Sequence, residues 1–134
     1  MVTCDILRIV TDALMNDEDL SALVDGRVYT VLPKEKTFPL VRVVRWGGAP
    51  SRRVPGLVWL DHADLQLDAW SPNQLQVTDV ARCLVAALVE RLPGTRPGGV
   101  VTASTVTNLA TELDADYAPV LHRARLTATI TAHP

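Results

Sequence analysis

Residues 63–76 read ADLQLDAWSPNQLQ, and few other stretches narrow the possible folds as much. Leu65, Leu67 and Ala69 alternate with Asp64, Gln66, Asp68 and Trp70, the period-2 pattern of a strand with one buried face. The strand runs through Ser71-Pro72 directly into a helical pattern in which Val77, Val80, Ala81, Leu84, Val85, Leu88 and Leu92 share one stripe, halted by Pro93-Gly94. Ser71 as N-cap, Pro72 as first helical residue and Gln74 as reciprocal partner would encode the turn. A one-sided strand feeding a one-sided helix calls for a sheet with helices on a single face. The other face carries carboxylates and an indole, which hints at a partner.

The rest of the chain supplies further elements of both kinds. Ile6, Ile9, Val10, Ala13 and Leu14 predict an amphipathic first helix, and Asn16 to Val24 a short second one, with acids in its first turn and Gly26 just past its end. Arg27 to Leu32 and Leu40 to Trp46 read as strands joined by a polar loop. Gly47 to Gly56, GGAPSRRVPG, reads as a loop leaving the sheet before a strand that begins near Leu57, perturbed near His62, and ends at Trp70. After the Pro/Gly-rich link Pro93 to Gly99, Val100 to Leu113 and Arg123 to Ala132 read as antiparallel strands. The fold class expected is α/β (α+β), a mostly antiparallel sheet packed by a long helix and the amino-terminal helices, with residues 1–134 as a single domain. A chain of 134 residues suffices for one core.

Thirteen basic and fifteen acidic residues leave a net charge of -2, which does not suggest a general nucleic-acid or anionic-membrane surface. Their distribution is uneven. Positions 1–26 carry Asp5, Asp12, Asp17, Glu18, Asp19 and Asp25 against Arg8, whereas positions 42–53 carry Arg42, Arg45, Arg52 and Arg53 and no acid. Such asymmetry suits contact between identical subunits. Cys4 and Cys83, each assigned to a helix without a C-x-x-C motif, read as free thiols of a reducing compartment. The longest apolar run, Cys83 to Val89, is far short of a bilayer span, and a soluble cytoplasmic product is expected.

The signatures of phosphate loops, dinucleotide folds, zinc proteases and serine hydrolases do not occur. Asp61-His62-x-Asp64 offers ligating atoms, but strand parity turns Asp61 away from the other two. No catalytic, cofactor or metal residue is assigned. Trp46, Trp59 and Trp70 fall at strand ends, where they either pack sheet rims against helices or anchor a neighbouring subunit. Arg52-Arg53, flanked by prolines, is either a solvated loop tip or a preshaped docking element.

The segments LVDGRVYTVLP (Leu23 to Pro33), FPLVRV (Phe38 to Val43), LQLDAWS (Leu65 to Ser71) and HRARLTATI (His122 to Ile130), in this order and spacing, resemble the tail terminator, or tail completion, proteins of long-tailed bacteriophages. The resemblance implies a non-enzymatic virion protein of the tail or neck, assembled in the host cytoplasm without cofactor. It would form a sixfold ring that caps the tail tube at its final length and meets a head-tail connector or stopper. DNA would pass through the ring without specific binding. On that expectation Trp46, Arg52, Arg53 and Trp70 are assigned to subunit or ring interfaces, and Asp64, Gln66 and Asp68 to the lumen. Alternatives are a connector or stopper subunit, or a small-molecule-binding α/β domain with a pocket near Trp59 and Asp61.

Overall fold

The computed structural model describes residues 4–53 and 58–134. Helix α1 (Ile6–Met15) is capped by the Asp5 carboxylate, which accepts from the Arg8 N–H, and α2 (Glu18–Val24) by Asp17, which accepts from Leu20 N–H. Asp25 closes α2 in the left-handed conformation at φ 50°. The chain then makes β1 (Val28–Tyr29), β2 (Leu40–Gly47), β3 (Pro50–Arg53) and β4 (Val58–Ser71). Helix α3 (Gln74–Ala86) continues as a π-helical turn over Ala87–Arg91, and β5 (Gly94–Arg96), β6 (Gly99–Asp114) and β7 (Leu121–His133) complete the chain.

These strands form one seven-stranded sheet in the order β1-β2-β4-β7-β6-β5, with β3 pairing β4 on the same side as β2. Among the described residues only β1 and β2 pair in parallel. The expected α+β fold with a mostly antiparallel sheet is the one observed. Its core lies between one sheet face and the helices. Val41, Val43, Leu65, Leu67, Leu126 and Ile130 project from the strands, against Ile9, Val10 and Leu14 of α1, Leu20 of α2 and Val77, Val80 and Leu84 of α3. With so few aromatics, this interior is aliphatic, and its cohesion rests on many small dispersion contacts.

Several boundaries differ from those expected. The first part of the expected loop does not leave the sheet: Pro50–Arg53 pairs antiparallel with Val58–Asp61, and β4 runs through His62 without a break. Gly48, at φ +89°, permits the sharp entry into β3, because a Cβ there would collide with the His62 carbonyl. Arg52 and Arg53 are placed in β3 by their backbones, while their side chains and residues 54–57 lie outside the described residues. The strand expected over Arg27 to Leu32 shrinks to Val28–Tyr29. Asn73, not Ser71, caps α3, its Oδ1 accepting from the N–H groups of Leu75 and Gln76. Ser71 instead ends β4, where its hydroxyl accepts from Asn73 N–H and donates to Gln76 Oε1. The link after Pro93 forms a short hairpin between β5 and β6.

Candidate assembly surfaces of the sheet

Alternation along β4 and β7 turns His62, Asp64, Gln66, Asp68 and Trp70, and Arg123, Arg125, Thr127, Thr129 and Thr131, to the face away from the helices. Asp68 is the centre of this face. Its carboxylate is 0% exposed and accepts from Arg42 Nη2 at 3.0 Å, Gln66 Nε2 at 3.0 Å and Arg123 Nε and Nη2 at 3.1 and 2.9 Å. Arg125 Nε lies 3.5 Å away. Three cations and an amide thus enclose one buried anion, and the surrounding charges are balanced in turn: Arg125 also approaches Glu112 at 3.4 Å and Arg123 approaches Asp114 at 4.0 Å.

Trp70 is held in the same assembly. The Arg42 and Arg123 guanidinium groups both lie over its ring, 5.2 and 5.1 Å from its centroid, and its indole N–H donates to Asp114 Oδ2 at 2.8 Å. That hydrogen bond holds the Asp114 carboxyl below the usual carboxylate range; burial opposes it, while the Asp116 N–H and Arg123 reinforce it. Trp70 also packs with Leu40 and Leu121, joined by Tyr29, Leu32, Phe38 and Tyr117, in a second small core on this face.

The residues assigned from sequence therefore separate into groups. Asp64, Gln66 and Asp68 do share the outward face, but Asp68 is sealed beneath arginines, Gln66 donates to it, and Asp64 accepts from Thr129 Oγ1. Trp70 is 3% exposed and already has its partners within the chain. Trp46, 63% exposed beside a bulge in β2, is the indole left open to a neighbour. Charges that looked unpaired in sequence also find partners at home: Arg42 with Asp68, Arg45 with Asp61 through two bonds of 2.7 and 2.9 Å, and Asp17 with Arg91. Burial opposes the charge on Asp17, yet bonds from Arg91 and Leu20 N–H outweigh it and keep its carboxyl below the usual range. Sequence reasoning missed Arg123, Arg125 and Asp114 as members of the network; the alternation of Arg123 and Arg125 on β7 is the signal that could have found them.

His62 sits between Ser51 Oγ and Thr131 Oγ1, with Asp61 on the opposite side of the sheet. A groove of about 450 Å³ opens where α1 and α2 meet the end of the long helix, with Leu88 and Leu92 at its base and Asp12, Asp19 and Arg91 among its walls. Neither Trp59 nor Asp61 lines it. Burial pushes both thiols, Cys4 and Cys83, above their ordinary values, and both are free. Among the described residues no helix is long and apolar enough to cross a membrane.

Residues 8–131 match the family described as tail completion protein gp17. The chain belongs to this family. It is thus a structural component of a phage-type virion. Its fold is shared with a chain of the solved structure described as the virion of native gene transfer agent (GTA) particle, at a TM-score of 0.72 and 14% identity, over 96% of this chain and 95% of that one. No curated protein matches it.

Proposed function

We propose that the protein is a tail terminator: a ring, sixfold in symmetry, that caps the tail tube at its final length and offers its far side to the head-tail connector or stopper. Membership of the tail completion family across residues 8–131 carries this reading, and the likeness in fold to a chain of a gene transfer agent virion supports it. The tube protein, the connector and further copies of the chain are the partners, with Trp46, Arg52 and Arg53 among the contact residues.

The polar face of the sheet lines the lumen in this reading. Its chemistry suits a conduit for DNA, because the arginines are matched by Asp68, Glu112 and Asp114 and few free cations are offered to phosphates. In this reading Asp68 serves the conduit by neutralising arginines rather than by repelling DNA directly. Disrupting the gene in its phage should yield tails of irregular, mostly excessive length that lack heads, restored by the protein supplied in trans. Tails of normal length joined to heads in its absence would exclude the terminator role.

A further inference from the structure

Both sides of the sheet are left with open hydrogen-bonding edges. On β2, β1 pairs only at Val41 and Arg42, so no described strand covers the outer edge of Val43–Gly47; on β6, β5 pairs only at Gly99–Val101, so 102–114 has β7 on one side and no described strand on the other. A row of unpaired backbone groups of that length is a template for another strand unless it is blunted. The open part of β6, TASTVTNLATELD, contains neither Pro nor Lys. Its sole irregularities are register shifts between Val101 and Ala103 and between Val106 and Asn108.

The topology indicates what fits there. β2, β4, β7 and β6 alternate in direction, each antiparallel to the next. With four alternating strands, the β2 of a second copy set beside β6 continues the alternation and keeps its helices on the same face. The rows of the sheet agree. Val43, Leu67, Leu126 and Leu109 lie in one row, and Gly47, Asp64, Thr129 and Thr105 in another, so the open stretch of β2 is level with Thr105–Leu109. Leu109 points to the helix-covered side but is 48% exposed, because the helices do not reach over it. Beside Val43 of a second copy it would gain the cover of that copy's α1, which packs on β1 and β2. Trp46, exposed on the same open edge, would lie against the neighbouring β6 on the polar side, where a large indole is a common anchor of association.

We infer that the open edge of β6, centred on Thr105–Leu109, pairs antiparallel with Val43–Gly47 of the next copy, head to tail, with Trp46 and Leu109 as its anchors. This heterologous contact uses different surfaces on each copy and closes into a ring when its rotation permits. It rests on the ring reading above, to which it adds the surfaces that meet.

Cysteine pairing tests it directly. In a Cys4→Ala, Cys83→Ala background, Val44→Cys is mixed with Thr105→Cys, Asn108→Cys or Ala110→Cys, all on the polar face, and oxidised under conditions of assembly. Facing residues on paired strands come close enough for a disulfide. Disulfides between the β2 and β6 variants are expected at one of these positions, and a double variant should give a ladder ending in closed species. Homodisulfides of the β6 variants alone would overturn the pairing. Hydrogen exchange on the unaltered protein provides a second readout: amides of 43–47 and 105–109 should gain protection on assembly. Trp46→Ala should weaken association at least about tenfold with the subunit still folded. Rings without that protection or cross-linking would overturn this contact while leaving the terminator reading intact. A chain that stays monomeric at all concentrations and on tail tubes would overturn both.

Discussion

At the scale of residues, the dominant interaction is the enclosure of Asp68. A buried carboxylate is costly unless charge and hydrogen bonds replace its water, and here three arginines and Gln66 do so. Asp68→Asn removes the charge while keeping the shape, leaving mutually repelling arginines around Trp70. It should destabilise the fold by about 2–3 kcal/mol, less than a fully buried pair because the arginines retain some contact with water; urea unfolding would measure the loss. Strand parity made the shared face of Asp68 and Trp70 legible in LQLDAWS. The partners were harder to read: Arg123 and Arg125 alternate on β7 as Asp68 and Trp70 do on β4, but only sheet register brings them and Asp114 together from more than forty residues away in sequence. A second consequence is pH-dependent. Asp17 and Asp114 both have carboxyl pKa values lowered by folding, so they stabilise the protein fully above the unfolded value of about 3.9 and lose that contribution as pH falls through their folded values. Unfolding curves of the wild type below pH 4 should therefore fall more steeply than those of Asp17→Asn, which is less stable at neutral pH and has less left to lose. Equal slopes would show that the Asp17 and Arg91 pair does not contribute.

At the scale of elements, apolar periodicity placed every helix and the long strands, because burial on one face imposes a period that survives in sequence. Caps and short strands were harder. SPNQ contains two plausible N-caps, and the register of β4 decides between them: Ser71 still pairs with His122, so the helix cannot begin until Asn73. Asn73→Ala should cost about 1 kcal/mol through the two N–H groups it leaves bare. In the same way, GGAPSRR has the composition of a loop yet becomes a strand because β4 extends beyond β2 and offers its free edge. The turn that makes this possible depends on Gly48. Gly48→Ala would need both a positive φ and the space of the His62 carbonyl, and should lower stability by about 2 kcal/mol or more, where a Gly→Ala change in an unstrained turn is neutral or favourable. A thermal melt would distinguish the two; an unchanged midpoint would mean that the entry into β3 is not held in this geometry in solution.

At the scale of the whole molecule, one sheet face is closed by helices and the other is polar, with its arginines neutralised by carboxylates of the same face. The order of the helices and long strands was legible, while β3 and β5 were read as loop and link, and the sequence could not distinguish acids that line a surface from acids that cancel arginines beneath it. That difference changes the mechanism assigned to the lumen. A bore that contains DNA without binding it need not be negative; it needs its cations occupied, since each free cation beside a phosphate releases counterions and holds the duplex with strong salt dependence. The threonines of β7 provide the means to test this, because Thr127 and Thr129 lie on the polar face, are only partly buried, and are not among the residues enclosing Asp68. Thr127→Lys with Thr129→Lys would add two free cations per subunit, about twelve around a sixfold ring of the kind proposed. Rings should still assemble, while DNA release from virions slows at low salt and recovers as ionic strength rises and the Debye length contracts to about 8 Å or less. A slowing that salt does not relieve would point to distorted rings, and unaltered release would place the polar face away from the DNA path.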